Sequence, residues 1–157
     1  MTYLVDGHNL IPKVPGLSLA QLDDEEDLIA LLKSFCDLKR CQMEVFFDAG
    51  RVDGVHQLNL NRLKVHFVLP PSKADDAILL RLLGAGRAAR NYTVVTSDRQ
   101  VRERSLRSGA KVVSSTVFAR SLTAALKSSS SVPPSNEPDD QKDEIRYWED
   151  QFSNKSE

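Results

Sequence analysis

The chain has 157 residues, 41% of them hydrophobic and 27% charged, which suits one globular domain with a sizeable core plus a tail. No apolar run approaches the roughly 20 residues needed to cross a bilayer, so no membrane span is expected. The start, Met1 to Asp6, has no basic region and meets an acid at once; it does not read as a signal peptide, and a cytoplasmic protein is expected.

Two cysteines, Cys36 and Cys41, are too few for a disulfide framework. Their spacing is also a poor zinc motif, so both read as reduced thiols in or near the core. The formal net charge of −1 hides an asymmetry. Residues 1–127 hold 18 Lys/Arg against 14 Asp/Glu, whereas residues 128–157 hold 3 against 8. A mildly basic body suits a polyanion such as nucleic acid, although many unrelated proteins share that feature.

In chain order, Tyr3-Leu4-Val5 reads as a short strand that stops at Asp6-Gly7. Residues 24–40 carry Leu28, Leu31, Leu32, Phe35 and Leu38 at helical spacing. Acids from Asp23 to Asp27 crowd the start of that segment and Lys39-Arg40 its end, as the helix dipole favours. Glu44 to Phe47 reads as a second strand ending at Asp48. Residues 49–62 have a weak helical pattern and are read as a crossover. Leu63 to Leu69 is a third strand, stopped by Pro70-Pro71. A helix then opens at Ser72 and runs to about Arg90.

Thr93 to Thr96 is a fourth strand, ending at Ser97-Asp98. An Arg-rich helix runs to Ser108 and stops at Gly109. Lys111 to Ser114 is a fifth strand, and residues 116–126 form a last helix. Short apolar strands alternating with helices predict a parallel sheet covered on both faces. Residues 128–138 read as a Ser/Pro-rich linker. Residues 139–157 form an acidic tail, in which Ile145, Trp148 and Phe152 line one side of a short predicted helix. The tail is read as solubilising, as a dock for a partner, or as a segment folding back across the basic mouth.

Open parallel sheets put their chemistry at the carboxyl ends of strands. Three predicted strands deliver an acid there: Asp6, Asp48 and Asp98. Asp75 and Asp76 fall in the first turn of the helix after the third strand. Converging carboxylates repel one another unless a cation sits among them. Mg²⁺ or Mn²⁺ prefers such oxygen donors, and a cation there can promote hydrolysis of a phosphodiester. Structural roles compete with this reading. Asp98 can be a helix N-cap, Asp75 can close a capping box behind Ser72, and Asp6 and Asp48 can be turn formers. Asp76 lacks such an alternative role. His8, His56 and His66 read as surface or packing residues rather than bases.

The motifs also resemble a family. Tyr3-Leu4-Val5-Asp6-Gly7-His8-Asn9-Leu10-Ile11 resembles the opening of NYN domains of the YacP-like group. Val45 to Ala49, Ser72 to Ile78, Val94 to Arg99 and Gly109 to Val112 resemble its later motifs, in order, over roughly residues 2–126. The resemblance implies a PIN-like α/β three-layer sandwich with a five-stranded parallel sheet ordered 3-2-1-4-5. It further implies an RNA-cleaving hydrolase using Mg²⁺ or Mn²⁺. Carried over, the catalytic acids are Asp6, Asp76 and Asp98, with Asp48 and Asp75 completing the metal shell. Asn9, Thr96 and Ser97 would orient ligands or touch phosphate. Lys73, Arg99 and Arg102 stand near the mouth as candidate RNA contacts, with a solvated charged face as the alternative for each.

The tail after residue 127 has no counterpart in the resemblance. His8 stands where Tyr is common. The alternative function is a catalytically silent RNA-binding or translation-associated module of the same fold. A phosphatase is disfavoured because His8 occupies the place of its second Asp, and a response receiver because the fifth strand ends in Ser114-Ser115 rather than Lys. RNA against DNA, the RNA class (mRNA, tRNA or rRNA), a ribosomal partner and a homodimer are left open.

Overall fold

The computed structural model describes residues 1–17, 24–48 and 57–131. The strands are β1 (Thr2–Asp6), β2 (Gln42–Asp48), β3 (Gln57–Leu60), β4 (Leu63–Val68), β5 (Tyr92–Val95) and β6 (Lys111–Val113). The helices are α1 (Gly7–Leu10), α2 (Asp24–Lys39), α3 (Ala74–Ala85), α4 (Arg99–Arg107) and α5 (Ser115–Ser131). Short 3₁₀ turns cover Ile11–Lys13 and Gly86–Asn91.

One six-stranded sheet has the order β3-β4-β2-β1-β5-β6. Its five parallel strands stand as the 3-2-1-4-5 order requires. The sixth corrects the expectation of a purely parallel sheet: β3 pairs antiparallel with β4, Leu60 opposite Leu63. The stretch read as a weak helical crossover therefore holds an edge strand joined to β4 by a tight turn. Asn61 takes the left-handed conformation there, at φ 66°, which Asn tolerates better than most residues. Residues 49–56 of that stretch, His56 included, lie outside the described residues, as do the tail and all but the first four residues of the expected linker. Those four continue α5, which extends to Ser131 rather than stopping at 126.

The sheet separates two apolar layers. Val5, Val45, Phe47, Val65, Phe67 and Val95 point to one face and pack against α1, α2 and α5. Leu4, Phe46 and Val94 point to the other and meet Ala74, Ile78 and Leu82 of α3 and Val101 of α4. Buried on both sides, the central strands need apolar residues at successive positions, which is why they scarcely alternate in sequence. Near the edge the pattern returns: in β4, Leu63, Val65 and Phe67 are buried while Lys64 is exposed. Cys36 is buried and Cys41 half-buried, and both are free thiols.

The junction of β1 and α1 leaves no room for a side chain. A Cβ at Gly7 would fall on the ring of Phe47. That ring is fully buried, with His8 at 5.4 Å and Phe67 stacked at 5.8 Å between centroids. Overpacking of this kind typically costs about 1–3 kcal/mol. Gly7→Ala should therefore lower the melting temperature, by about 2–4 °C per kcal/mol in a domain this size. A melt identical to wild type would mean that the Phe47 ring yields freely.

Candidate active site at the carboxyl edge of the sheet

β1 lies between β2 and β5, with Val5 opposite Val45 on one side and Val95 on the other. The chain fills the sheet in one direction from β1 to β2 and β4, then crosses back to β5 and β6. The carboxyl ends of β1 and β5 therefore flank the switch point, where open α/β sheets form a crevice. Asp6 ends β1 at this crevice, and Thr96, Ser97 and Asp98 follow β5 beside it.

Asp6 is partly buried, and its Oδ1 caps α1 by accepting the Asn9 amide at 3.3 Å. Burial pushes its pKa up to about 6, and the charges of Asp48 and Asp75 push in the same direction. The Asn9 amide and His8 oppose the rise. Asp48 and Asp75 thus stand close enough for their charges to act on Asp6.

The other acids are anchored by backbone amides. Asp48 Oδ1 accepts the Ala74 amide at 2.6 Å and so joins the end of β2 to the first turn of α3. Asp98 caps α4: its Oδ1 accepts from the amides of Gln100 at 2.8 Å and Val101 at 3.1 Å. Asp76 Oδ2 accepts the Lys73 amide at 3.3 Å, and Asp75 Oδ1 accepts the Asp76 amide at 3.1 Å. The capping contact expected of Asp75 is therefore made by its neighbour. The helix begins at Ala74, so its third residue is Asp76, and Asp76 rather than Asp75 makes the capping contact.

Asn9 holds the two sides of the crevice together. Its Oδ1 accepts from the Ser97 amide at 2.8 Å and from the Ser115 hydroxyl at 2.5 Å. Ser97 Oγ in turn accepts the Ser115 amide at 3.2 Å, and Thr96 Oγ1 accepts the Asp98 amide at 3.1 Å. Ser115 is fully buried and was not among the expected site residues. Its only signal in the sequence is its position directly after the last strand. His8 is engaged elsewhere, with Nε2 2.6 Å from Glu25 Oε2 on α2, in line with a packing role.

Lys73, Arg99 and Arg102 are exposed and make no ion pair among the described residues. Among those residues no group of three or more Asp, Glu, His or Cys side chains is placed to hold a metal ion by itself. The donors suit a different arrangement. Mg²⁺ keeps much of its water and is commonly held by one or two carboxylates together with substrate phosphates. Asp6, raised in pKa by burial and by two neighbouring carboxylates, is the kind of donor whose ionised form a cation would favour.

The model of the YacP-like NYN domain matches residues 3–157. The chain belongs to that family. The match includes residues 128–157, so the acidic tail that the sequence reading could not align falls inside the YacP-like pattern. Among solved structures, the fold is similar to Rae1 (YacP) from Bacillus subtilis, with a TM-score of 0.69 at 20% identity over 96% of this chain and 93% of that one. The W164L mutant of the same protein gives a TM-score of 0.69 at 20% identity, over 99% and 98% of the two chains. No curated protein matches the sequence. The YacP-like NYN assignment points to the PIN-like ribonucleases as a class and to RNA as the class of substrate. No helix among the described residues is long and apolar enough to cross a membrane.

Proposed function

We propose that the chain is an endoribonuclease that hydrolyses RNA phosphodiester bonds with Mg²⁺ or Mn²⁺ at the crevice between β1 and β5. The observation that carries this reading is Asp6 at the end of β1, partly buried beside the switch point and near enough to Asp48 of β2 and Asp75 of α3 for their charges to act on it. Membership of the YacP-like NYN family supports it. A binder of polyanions gains nothing from crowding carboxylates where the phosphates must sit, whereas a cation-dependent hydrolase requires them.

Asp6 is the central ligand, with Asp76 and Asp98 as catalytic partners and Asp48 and Asp75 completing the acidic shell. Those side chains would hold the cation, which would supply charge neutralisation at the phosphate and an activated water. Asn9 and Thr96 keep the two sides of the crevice in register, and Ser97 lies beside the phosphate path. Lys73, Arg99 and Arg102 hold flanking phosphates and fix the strand without reading its bases. In-line attack breaks the bond to the 3′ oxygen, leaving a 3′-hydroxyl and a 5′-phosphate.

The test is cleavage of a mixed panel of end-labelled RNAs with Mg²⁺, Mn²⁺ or EDTA. Cation-dependent cutting should be lost in Asp6→Asn and in Asp98→Asn. Cutting that survives both substitutions would overturn the proposed site. RNA that is bound tightly by the wild type and never cut would replace the enzyme with a silent binding module of the same fold.

A further inference from the structure

An open groove of about 950 Å³ lies between the end of α2 and the second half of α5. Met1, Tyr3 and Leu38 form its floor, and Ala124 and Ala125 its α5 wall. Two large apolar side chains of this floor are exposed, Met1 at 64% and Leu38 at 43%. Leu38 shares the helical spacing of Leu28, Leu32 and Phe35, yet those three are buried and Leu38 is exposed. The rim is basic. Lys39 and Arg40 line the groove, are exposed, and make no ion pair among the described residues.

We propose that this groove is the dock for the chain's own C-terminal segment, residues 139–152. Three observations select that occupant. The first is proximity. Ala124 stands about 10 Å along the helix from Ser131, where the tail departs. Residues 132–138, fully extended, reach up to about 25 Å, so the segment returns to the groove easily. The proposed active site lies toward the other end of α5, where Ser115 bonds Asn9, about 14 Å along the helix from Ala124.

The second observation is complementarity. Residues 132–157 carry 8 Asp/Glu against 3 Lys/Arg, facing a rim formed by Lys39 and Arg40. Ile145, Trp148 and Phe152 recur at the spacing of one helical face, which is the apolar stripe such a floor accepts. The third is that the YacP-like pattern continues through residue 157, so the segment belongs to the domain's own pattern rather than being a foreign appendage. A short tether makes docking intramolecular, at an effective concentration in the millimolar range, so modest contacts suffice. Docked there, the tail covers Leu38 and Met1 and stays clear of the RNA crevice.

Trp148 is the only tryptophan in the chain, so its fluorescence reports the segment directly. The experiment is acrylamide quenching of the full-length protein, native and urea-unfolded, at several protein concentrations. Four forms are compared: wild type, Ala124→Glu, the pair Lys39→Glu/Arg40→Glu, and the pair Arg99→Glu/Arg102→Glu at the mouth. All the substituted positions are exposed, and circular dichroism checks the fold of each variant. Wild-type Trp148 should be protected in the native state at every concentration. Protection should be lost in Ala124→Glu, weakened in the Lys39/Arg40 pair, and unchanged in the Arg99/Arg102 pair. The proposal is overturned if native Trp148 is as quenchable as in urea. It is equally overturned if only the mouth variant removes protection, if none of the variants does, or if dilution alone does. The last result would place the segment on a second copy of the chain.

Discussion

Asp6→Asn should abolish RNA cleavage and, at the same time, make the metal-free protein more stable. Both effects follow from one property of the residue. Its pKa is raised to about 6, first by burial and then by the charges of Asp48 and Asp75. An acid raised in this way binds its proton more tightly in the folded chain than in the unfolded one. Its favourable contribution is therefore complete below the ordinary Asp value near 3.8 and is lost as pH rises through about 6. At neutral pH the ionised Asp6 burdens the fold by about 2 kcal/mol, after allowance for its partial contact with water. Asn has the same shape, can still accept the Asn9 amide as an N-cap, and carries no charge.

Calorimetry in EDTA should then show Asp6→Asn melting about 4–8 °C above wild type at pH 8. The gap should hold down to about pH 6 and shrink as the pH is lowered from there toward 4. Adding Mg²⁺ or Mn²⁺ should raise the wild-type melting temperature and leave that of the variant nearly unmoved, because a ligand stabilises only the state that binds it. Cleavage should fall further than the roughly 10–100-fold loss typical of supporting residues around a metal. A variant that is less stable than wild type at pH 8 would contradict the crowding of carboxylates on which the proposed site rests.

The part of the site that is legible in the sequence is the part fixed by backbone topology. Asp6, Asp48 and Asp98 stand at strand ends because each apolar run stops there, and a parallel sheet sends all those ends to one edge. What sequence pattern does not resolve is which carboxylate oxygen a backbone amide claims. A helix that begins at Ala74 instead of one residue earlier gives the cap to Asp76 and leaves Asp75 to act on Asp6. Asp48 could pass for a turn former, yet it reaches across 26 positions to the Ala74 amide, a contact that only the assembled sheet creates.

The fold shows the same division. Buried central strands are readable from their apolar runs, whereas β3 pairs along one edge only and alternates between exposed and half-buried positions. Its polar residues, Gln57 and Asn59, hide it from a search for apolar runs. The readable clue was Asn61, placed to turn Leu58-Asn59-Leu60 back onto Leu63. Leu38 shows the limit of periodicity on a helix: spacing marks a face, but at the end of α2 Leu38 stays exposed and lines the groove beside α5.

Asn9→Ala separates assembly of the crevice from its chemistry. The Asn9 carboxamide accepts two hydrogen bonds from chain segments 88 and 106 positions away, the Ser97 amide and the Ser115 hydroxyl. Removing it leaves Ser115, which is fully buried, and the Ser97 amide without that acceptor. Each polar group so stranded typically costs about 1–3 kcal/mol, more where water cannot enter. A loss of about 1–3 kcal/mol is expected, nearly all of it from Ser115, the amide at the exposed Ser97 being rehydrated at little cost. Chemical unfolding with an unchanged denaturant slope would measure it. Activity should fall as well, because the Asp98 amide hangs from Thr96 and the Ser97 amide from Asn9. Loosening that turn moves Asp98 relative to Asp6. Asn9→Asp supplies the control, since its carboxylate oxygen can still accept both bonds. It should restore the hydrogen bonds of the crevice, with a residual loss of stability in EDTA at neutral pH from the added charge beside Asp6, a loss that shrinks as the pH is lowered or a cation is added. If Asn9→Ala were as stable and as active as wild type, the crevice would be held by the parallel pairing of β1 and β5 alone, and the Asn9 bridge would be incidental to both fold and function.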